Sequence, residues 1–182
     1  QMTSNQMKNI DKIFSPVRGK IVFSLKQSHG SCFFIQFGEP HLRIREPIEP
    51  RSEVSEKSKI ELRRRRVFVA GSWSLLVLGC NWTLTNEQNS VSQDDDVEEM
   101  ENLFRGVEGQ YLVSVHGDEV TKSCTLEFDM GASLNLWPRN DWNPDVDPDE
   151  DQWQLHFKDG SSVGYTNNGS FEFESKSDPD KT

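Results

Sequence analysis

Apolar residues recur along this chain at two periods that alternate. Met7, Ile10, Ile13 and Phe14 fall three and four apart, the spacing of one helical face. They predict a helix over residues 4–14, capped by Ser4 and stopped by Ser15-Pro16. Past Gly19 the period drops to two. Strands are predicted over residues 19–25 and over 32–37, where Phe33, Ile35 and Phe37 share a face. Leu42 and Ile44 start another, with Arg43 and Arg45 pointing the other way. Residues 47–59 show no period, contain Pro47 and Pro50, and read as a surface loop. Residues 67–70 and 73–78 are strand-like again. The consecutive apolar positions 75–78 predict a strand covered on both faces. Trp82 and Leu84 close this half.

Residues 86–93 are polar and read as a linker. Ser92 is the predicted cap of a second helix, with Asp95 three residues on and acids filling its first turn. Val97, Met100, Leu103 and Phe104 make its apolar stripe, and Gly106 stands where a C-cap glycine is expected. A strand over 111–115 and a turn at Gly117-Asp118 follow. Leu126, Phe128 and Met130 then alternate with Thr125, Glu127 and Asp129, and Leu134 and Leu136 make a short strand. Residues 140–151 form an acidic loop. Beyond it Trp153, Leu155 and Phe157 alternate with Gln152, Gln154 and His156. The hairpin signal Asp159-Gly160 leads to Val163 and Tyr165, and a turn at 167–169 leads to Phe171 and Phe173. These three segments predict a meander. Residues 174–182 lack apolar side chains, and disorder is expected there.

The two halves echo each other. Residues 13–25 align with 103–115 without a gap, matching Phe14 to Phe104, Val17 to Val107, Gly19 to Gly109 and Ser24 to Ser114. Ser31-Cys32 returns as Ser123-Cys124. Gly38, Leu42 and Ile44 return as Gly131, Leu134 and Leu136, and Trp73-Ser-Leu75 as Trp153-Gln-Leu155. The pattern predicts an α+β fold, β-rich overall, built from two tandem repeats of a short helix followed by antiparallel strands. The repeats span residues 4–84 and 92–173, pack as one compact unit, and leave 174–182 as a tail.

Charge narrows the choice of partner. With a formal net charge of -10 over 182 residues, the chain would be repelled by phosphates, so nucleic acid is not an expected partner. A basic protein is, if the acids cluster. They do so twice: at the second helix, with Asp94, Asp95, Asp96 and Glu98, and in the loop, with Asp145, Asp147, Asp149, Glu150 and Asp151. Trp137 and Trp142, flanking the loop, read either as aromatic anchors beside them or as core residues. The arginines at 63–66 read either as a basic docking patch or as the guarded edge of a strand, and the second suits one short run in an acidic chain. Three cysteines in strand-like runs fit buried reduced thiols of a cytosolic protein, and a Cys32–Cys124 disulfide is also compatible. No leader-like segment and no apolar run approaching ~20 residues is seen, so no membrane is expected and the location expected is cytoplasmic.

Catalytic and metal constellations are not found. The histidines are His29, His41, His116 and His156, and none has a second ligand type four residues away. There is no Cys-x-x-Cys and no phosphate-binding glycine loop. Cys80 lies in an apolar strand without a neighbouring base. Asp141, Asn143, Asp145, Asp147, Asp149 and Asp151 alternate as in a calcium loop. That pattern has no glycine at its sixth place and no glutamate at its twelfth, and it carries Pro144 and Pro148. No metal, no cofactor and no enzymatic activity is therefore expected.

The repeated glycine-opened strand, the Phe-Gly break and the Leu-x-Ile and Trp-x-Leu elements, on a small acidic α+β chain, resemble immunity proteins of bacterial polymorphic-toxin and contact-dependent inhibition systems and related bacterial families. The resemblance implies a cytoplasmic, non-enzymatic binding protein that neutralises a cognate toxin by covering its active site. It carries over no residue role. A basic toxin domain would match the acid clusters. The expectation from a different class is a module that senses or sequesters a nucleotide or metabolite in a cleft between the repeats.

Overall fold

The computed structural model describes residues 9–175. The first half runs α1 (Ile10–Ile13), β1 (Val22–Gln27), β2 (Phe33–Phe37), β3 (His41–Arg45), α2 (Glu56–Leu62), β4 (Arg66–Ala70), β5 (Trp73–Val77), β6 (Cys80–Asn86) and β7 (Asn89–Ser92). The second runs α3 (Val97–Val107), β8 (Leu112–Asp118), β9 (Ser123–Phe128), β10 (Ala132–Pro138), β11 (Asp151–Phe157), β12 (Ser162–Thr166) and β13 (Phe171–Glu174). The fold is α+β and β-rich, as the alternation predicts.

Both larger sheets draw strands from both halves. A six-stranded sheet has the order β1-β2-β5-β11-β12-β13, and a five-stranded sheet the order β7-β6-β10-β9-β8. Three strands of the first half are thus continued by three of the second, and three of the second by two of the first. The chain changes sheet between β5 and β6, through Leu78-Gly79, and again between β10 and β11, through residues 139–150. Every paired neighbour is antiparallel, and β3 and β4 form a separate two-stranded ribbon.

The halves meet along β1 and β8, where the hydrogen bonds are reciprocal. Gly19 N–H donates to the Leu112 carbonyl and Gly109 N–H to that of Val22, both at 2.7 Å. Val22 N–H donates to Gln110 at 2.9 Å and Leu112 N–H to Lys20 at 3.0 Å. Ile21 bridges Tyr111 between them. The turns that make this crossing need a left-handed residue, and glycine holds it without strain at Gly19 (φ +76°) and Gly109 (φ +94°). Each first strand then bulges at the same place, between Val22 and Ser24 and between Leu112 and Ser114. Nearby, Phe37 and Phe128 stack with centroids 6.5 Å apart and planes 3° from parallel.

Side chains from the facing sheets and two helices fill the core. The stripe of α3 buries Met100, Leu103, Phe104 and Val107 over β1, β6 and β7, while α1 packs on β8. Trp82 meets Phe33 edge-on at 4.8 Å and donates its indole N–H to the Ser31 carbonyl at 3.0 Å. Trp153 sits 5.2 Å from Phe14 and 5.4 Å from Tyr165.

Several local expectations are corrected. Ser4 and Met7 lie outside the described residues, and α1 is capped by Asn9, whose side chain accepts from Asp11 N–H. Residues 47–59 are not all loop: α2 starts from Ser55, which accepts from Ser58 N–H at 3.3 Å. The supposed linker 86–93 contains the β6–β7 hairpin, turned through Glu87 at φ +56°. The cap position of α3 is Asp96 rather than Ser92, and the helix runs through Gly106 to Val107. Trp73 is only half-buried, and Glu174 belongs to β13. Of residues 75–78, Leu75 and Val77 are buried while Leu76 and Leu78 are half-buried.

Two sequence equivalences also fail. Trp73 and Trp153 lie on adjacent antiparallel strands, where Trp73 faces Phe157 and Trp153 faces Val77. The strand in β5's place in the other sheet is β10. Leu42 and Ile44 are exposed on the ribbon, whereas Leu134 and Leu136 are buried. The connections differ in length: residues 38–72 join β2 to β5, whereas residues 129–131 join β9 to β10.

Candidate functional site

The sheet registers decide where the acidic segments project. Ser92 at the end of β7 pairs with Thr83, midway along β6, and Pro138 at the end of β10 pairs with Cys80, its first residue, so β7 and β10 both run toward the start of β6. The two acidic segments that follow, 94–98 and 139–150, therefore leave the same end of the five-stranded sheet, on either side of β6. Gln93 fixes the first to that strand: its oxygen accepts from Trp82 N–H at 2.8 Å and its amide donates to Asn81 at 3.2 Å. The β8–β9 turn leaves by this end too, since Asp118 pairs with Ser123, and it adds Asp118 and Glu119. Sequence reasoning missed these two because they lie far in sequence from both clusters.

The predicted contact residues differ in how free they are. Asp94, Asp96, Glu98, Asp145, Asp147 and Asp149 are exposed. Asp95 accepts from Ser92 N–H at 2.7 Å, shaping the turn before α3. Trp142 is half-buried and donates its indole N–H to the Asp147 carbonyl at 2.8 Å, so it braces the loop from inside. Arg139 brackets the loop, 3.3 Å from Asp141 and 3.3 Å from Glu150. The other Glu150 oxygen accepts from Asn167 at 2.9 Å, which ties that carboxylate into the fold. Asp151 is the first residue of β11, accepting from the Gln154 amide at 2.7 Å. Gly164 makes room for it, since a Cβ there would lie 2.7 Å from its Oδ1.

These carboxylates affect one another. Burial pushes the Asp151 carboxyl up, and Glu174, Asp147 and Asp149 add to the push against the Gln154 hydrogen bond. Glu172 on the neighbouring edge strand is raised by desolvation and by Asp151, Asp149, Glu174 and Asp147. The loop acids therefore extend their field across β11 to β13, and a cation arriving here would be attracted.

A groove of about 640 Å³ opens at the same end, between α1 and the turns of the second half. Asp11, Asp118, Glu119 and Lys122 stand on its walls, with Tyr165 and Phe171 beneath. Burial pushes the Tyr165 phenol up to about 12, so it is a neutral hydroxyl at physiological pH.

Cys80 and Cys124 are buried, Cys32 is half-buried, and all three are free thiols. Burial raises each of them, which keeps them protonated and poor nucleophiles. Burial pushes the His156 imidazole down, with Arg43 adding to the effect. Among the described residues no three His, Cys, Asp or Glu side chains converge as a metal site, and no helix is long and apolar enough to cross a membrane. The arginine run is largely matched within its own segment: Arg63 lies 3.2 Å from Glu49, Arg64 3.9 Å from Glu61 and Arg65 2.9 Å from Glu46.

No protein-family model, no curated protein and no solved structure matches the chain.

Proposed function

We propose that this chain is a non-enzymatic, cytoplasmic binding protein of the immunity type, whose acidic end docks on a basic toxin domain and covers its active site. The projection of both acidic segments from one end of one sheet carries the reading. Separate clusters would each add a little local field; gathered, they form one patch that can steer a basic partner and hold it. We read residues 4–84 and 92–173 as a duplicated unit, supported by the reciprocal bonds along β1 and β8. The duplication supplies the scaffold and the loops supply the surface.

The test is capture from the native cytoplasm at low salt, followed by kinetics with the partner retained. A variant with Asp94, Asp96, Asp145, Asp147 and Asp149 changed to Asn should bind on the order of tenfold more slowly, with a melting temperature close to the parent's. The difference should shrink in high salt, where exposed charges are screened. Failure to retain any basic protein, or an on-rate indifferent to both salt and substitution, would remove the proposal.

The groove favours a second reading, a small-ligand module. Three acids against one lysine above an aromatic floor suit a cationic metabolite better than a nucleotide. A thermal-shift screen separates the two: stabilisation by an organic cation with no protein partner present supports this one.

A further inference from the structure

The β3–β4 ribbon carries a row of apolar side chains that nothing in the described chain covers. Its register pairs Leu42 with Val69 and Ile44 with Val67, so these four share one face. They are 69%, 53%, 56% and 56% exposed, in that order. The opposite face meets the body only at one end, where His41 and Ala70 share a small cleft with Ser74 and His156, while Arg43 and Phe68 stay exposed. Arg43 lies 6.0 Å from the Phe68 ring, and Arg45 donates to the Glu61 carbonyl at 2.8 Å. A two-stranded ribbon is marginal in water, and a sheet with one apolar face is stable when that face is buried against another element.

We propose that a second copy of this chain supplies that element, through two-fold, face-to-face packing of the two ribbons. Shape, charge and position all point to this occupant. The face has large side chains on one strand, Leu42 and Ile44, and smaller ones on the other, Val67 and Val69. A two-fold axis along the strands sets β3 over its partner's β4, so that large meets small in a symmetric contact. The face itself holds no charged side chain. Three arginines of the segment, Arg63, Arg64 and Arg65, pair with Glu49, Glu61 and Glu46 beside the face rather than on it. The ribbon leaves the six-stranded sheet at the end of β2 and the start of β5, whereas residues 139–150 enter that sheet at the start of β11, beside the end of β5. Two chains of net charge -10 can therefore meet at their ribbons with their acidic ends far apart. Four side chains of roughly 100 Å² each per copy cover roughly 800 Å² in the pair, which places the dimer among weak, micromolar interfaces. The proposal does not depend on what the acidic end binds.

Sedimentation of the whole protein tests it, over roughly 1–500 µM and at ~0.05 and ~0.5 M salt. The average mass should climb from 20.9 kDa toward twice that value. Association should be equal or tighter at high salt, where repulsion between acidic bodies is screened. Ile44→Asp with Val69→Asp should weaken it at least about tenfold, because each dimer would bury four carboxylates. Arg43→Ala, on the other face, should leave it unchanged. Circular dichroism and melting temperature of the double variant should match the parent, since both positions are exposed. A monomer at every concentration would overturn the proposal, as would a dimer indifferent to the double substitution. Residues 41–70 carry nine Lys and Arg against five Glu, so a dimer that dissociates with salt would mean that the segment docks on a partner's acidic end, and would overturn ribbon pairing. So would a chain that stays monomeric but binds phosphatidylserine vesicles.

Discussion

At the residue scale, side chains of one type divide by surroundings. The two acidic segments were legible as clusters, but not which of their members are free. Glu150 looks like its neighbours in sequence, yet Arg139 and Asn167 hold it in the fold. Asp151 is distinguished by burial and by the acids around it, and its raised carboxyl gives a pH signature. A folded-state pKa above the unfolded value means that the fold opposes the charge. The destabilisation is complete well above the folded pKa and gone below the unfolded value of about 3.9. Asp151→Asn removes it while keeping an oxygen for Gln154. The variant should melt above the parent at pH 7, with the gap narrowing as the pH falls toward about 4. A gap that widens in acid would contradict this assignment. The cysteines give a second test. Burial raises all three thiols, so exposure decides: iodoacetamide should label half-buried Cys32 slowly in the native protein, and buried Cys80 and Cys124 only after unfolding. Rapid native labelling of Cys80 would show that β6 opens.

At the element scale, alternation revealed strands well and their surroundings poorly. Leu42 and Ile44 alternate with arginines just as Leu126 and Phe128 alternate with threonine and glutamate. Period two reports that a strand has an apolar face, and says nothing of what that face meets. The β9 face meets the core; the β3 face meets solvent. Helix α2 escaped because it buries no residue, so its seven positions show no stripe, and only its serine cap marks it. The β6–β7 turn escaped because Glu87 takes the left-handed conformation without the glycine or asparagine that usually announces it. Of two nearby glycines at the end of α3, the chain uses Gly109 for φ +94° and leaves Gly106 in the helix, a choice the sequence does not reveal. Where alternation and burial agree, the energetic forecast is firm. Phe128 is buried against Phe37 where the halves meet, and Phe128→Ala should cost about 3–5 kcal/mol by chemical denaturation. A loss below about 1 kcal/mol would mean that the site collapses around the missing ring.

At the scale of the whole molecule, a pairing of like with like suggested two units side by side, and the strand order is more entangled than that. Segment similarity is local, whereas β6 pairs with β10 and β11 with β5, contacts made between the halves. Within residues 9–92, β1, β2 and β5 can pair with one another, but β6 and β7 would lack β10. Within residues 94–175, β8, β9 and β10 can pair, but β11 and its two followers would lack β5. Each half alone would thus expose β5 or β10 as an apolar edge, and would leave Trp82 without Phe104 or Trp153 without Phe14. Exchange of this kind makes folding depend on contacts distant in sequence. Cutting the chain between Gln93 and Asp94, in the turn before α3, tests the consequence without touching a strand. Each fragment expressed alone should lack a cooperative melting transition and dispersed amide resonances. Mixed after refolding together, the two should recover both, as a complex of one copy each. If either fragment alone melted cooperatively, with native-like dispersion and as a monomer, its strands would have closed a sheet of their own. The exchange would then be an ornament on two independent units rather than what holds them together.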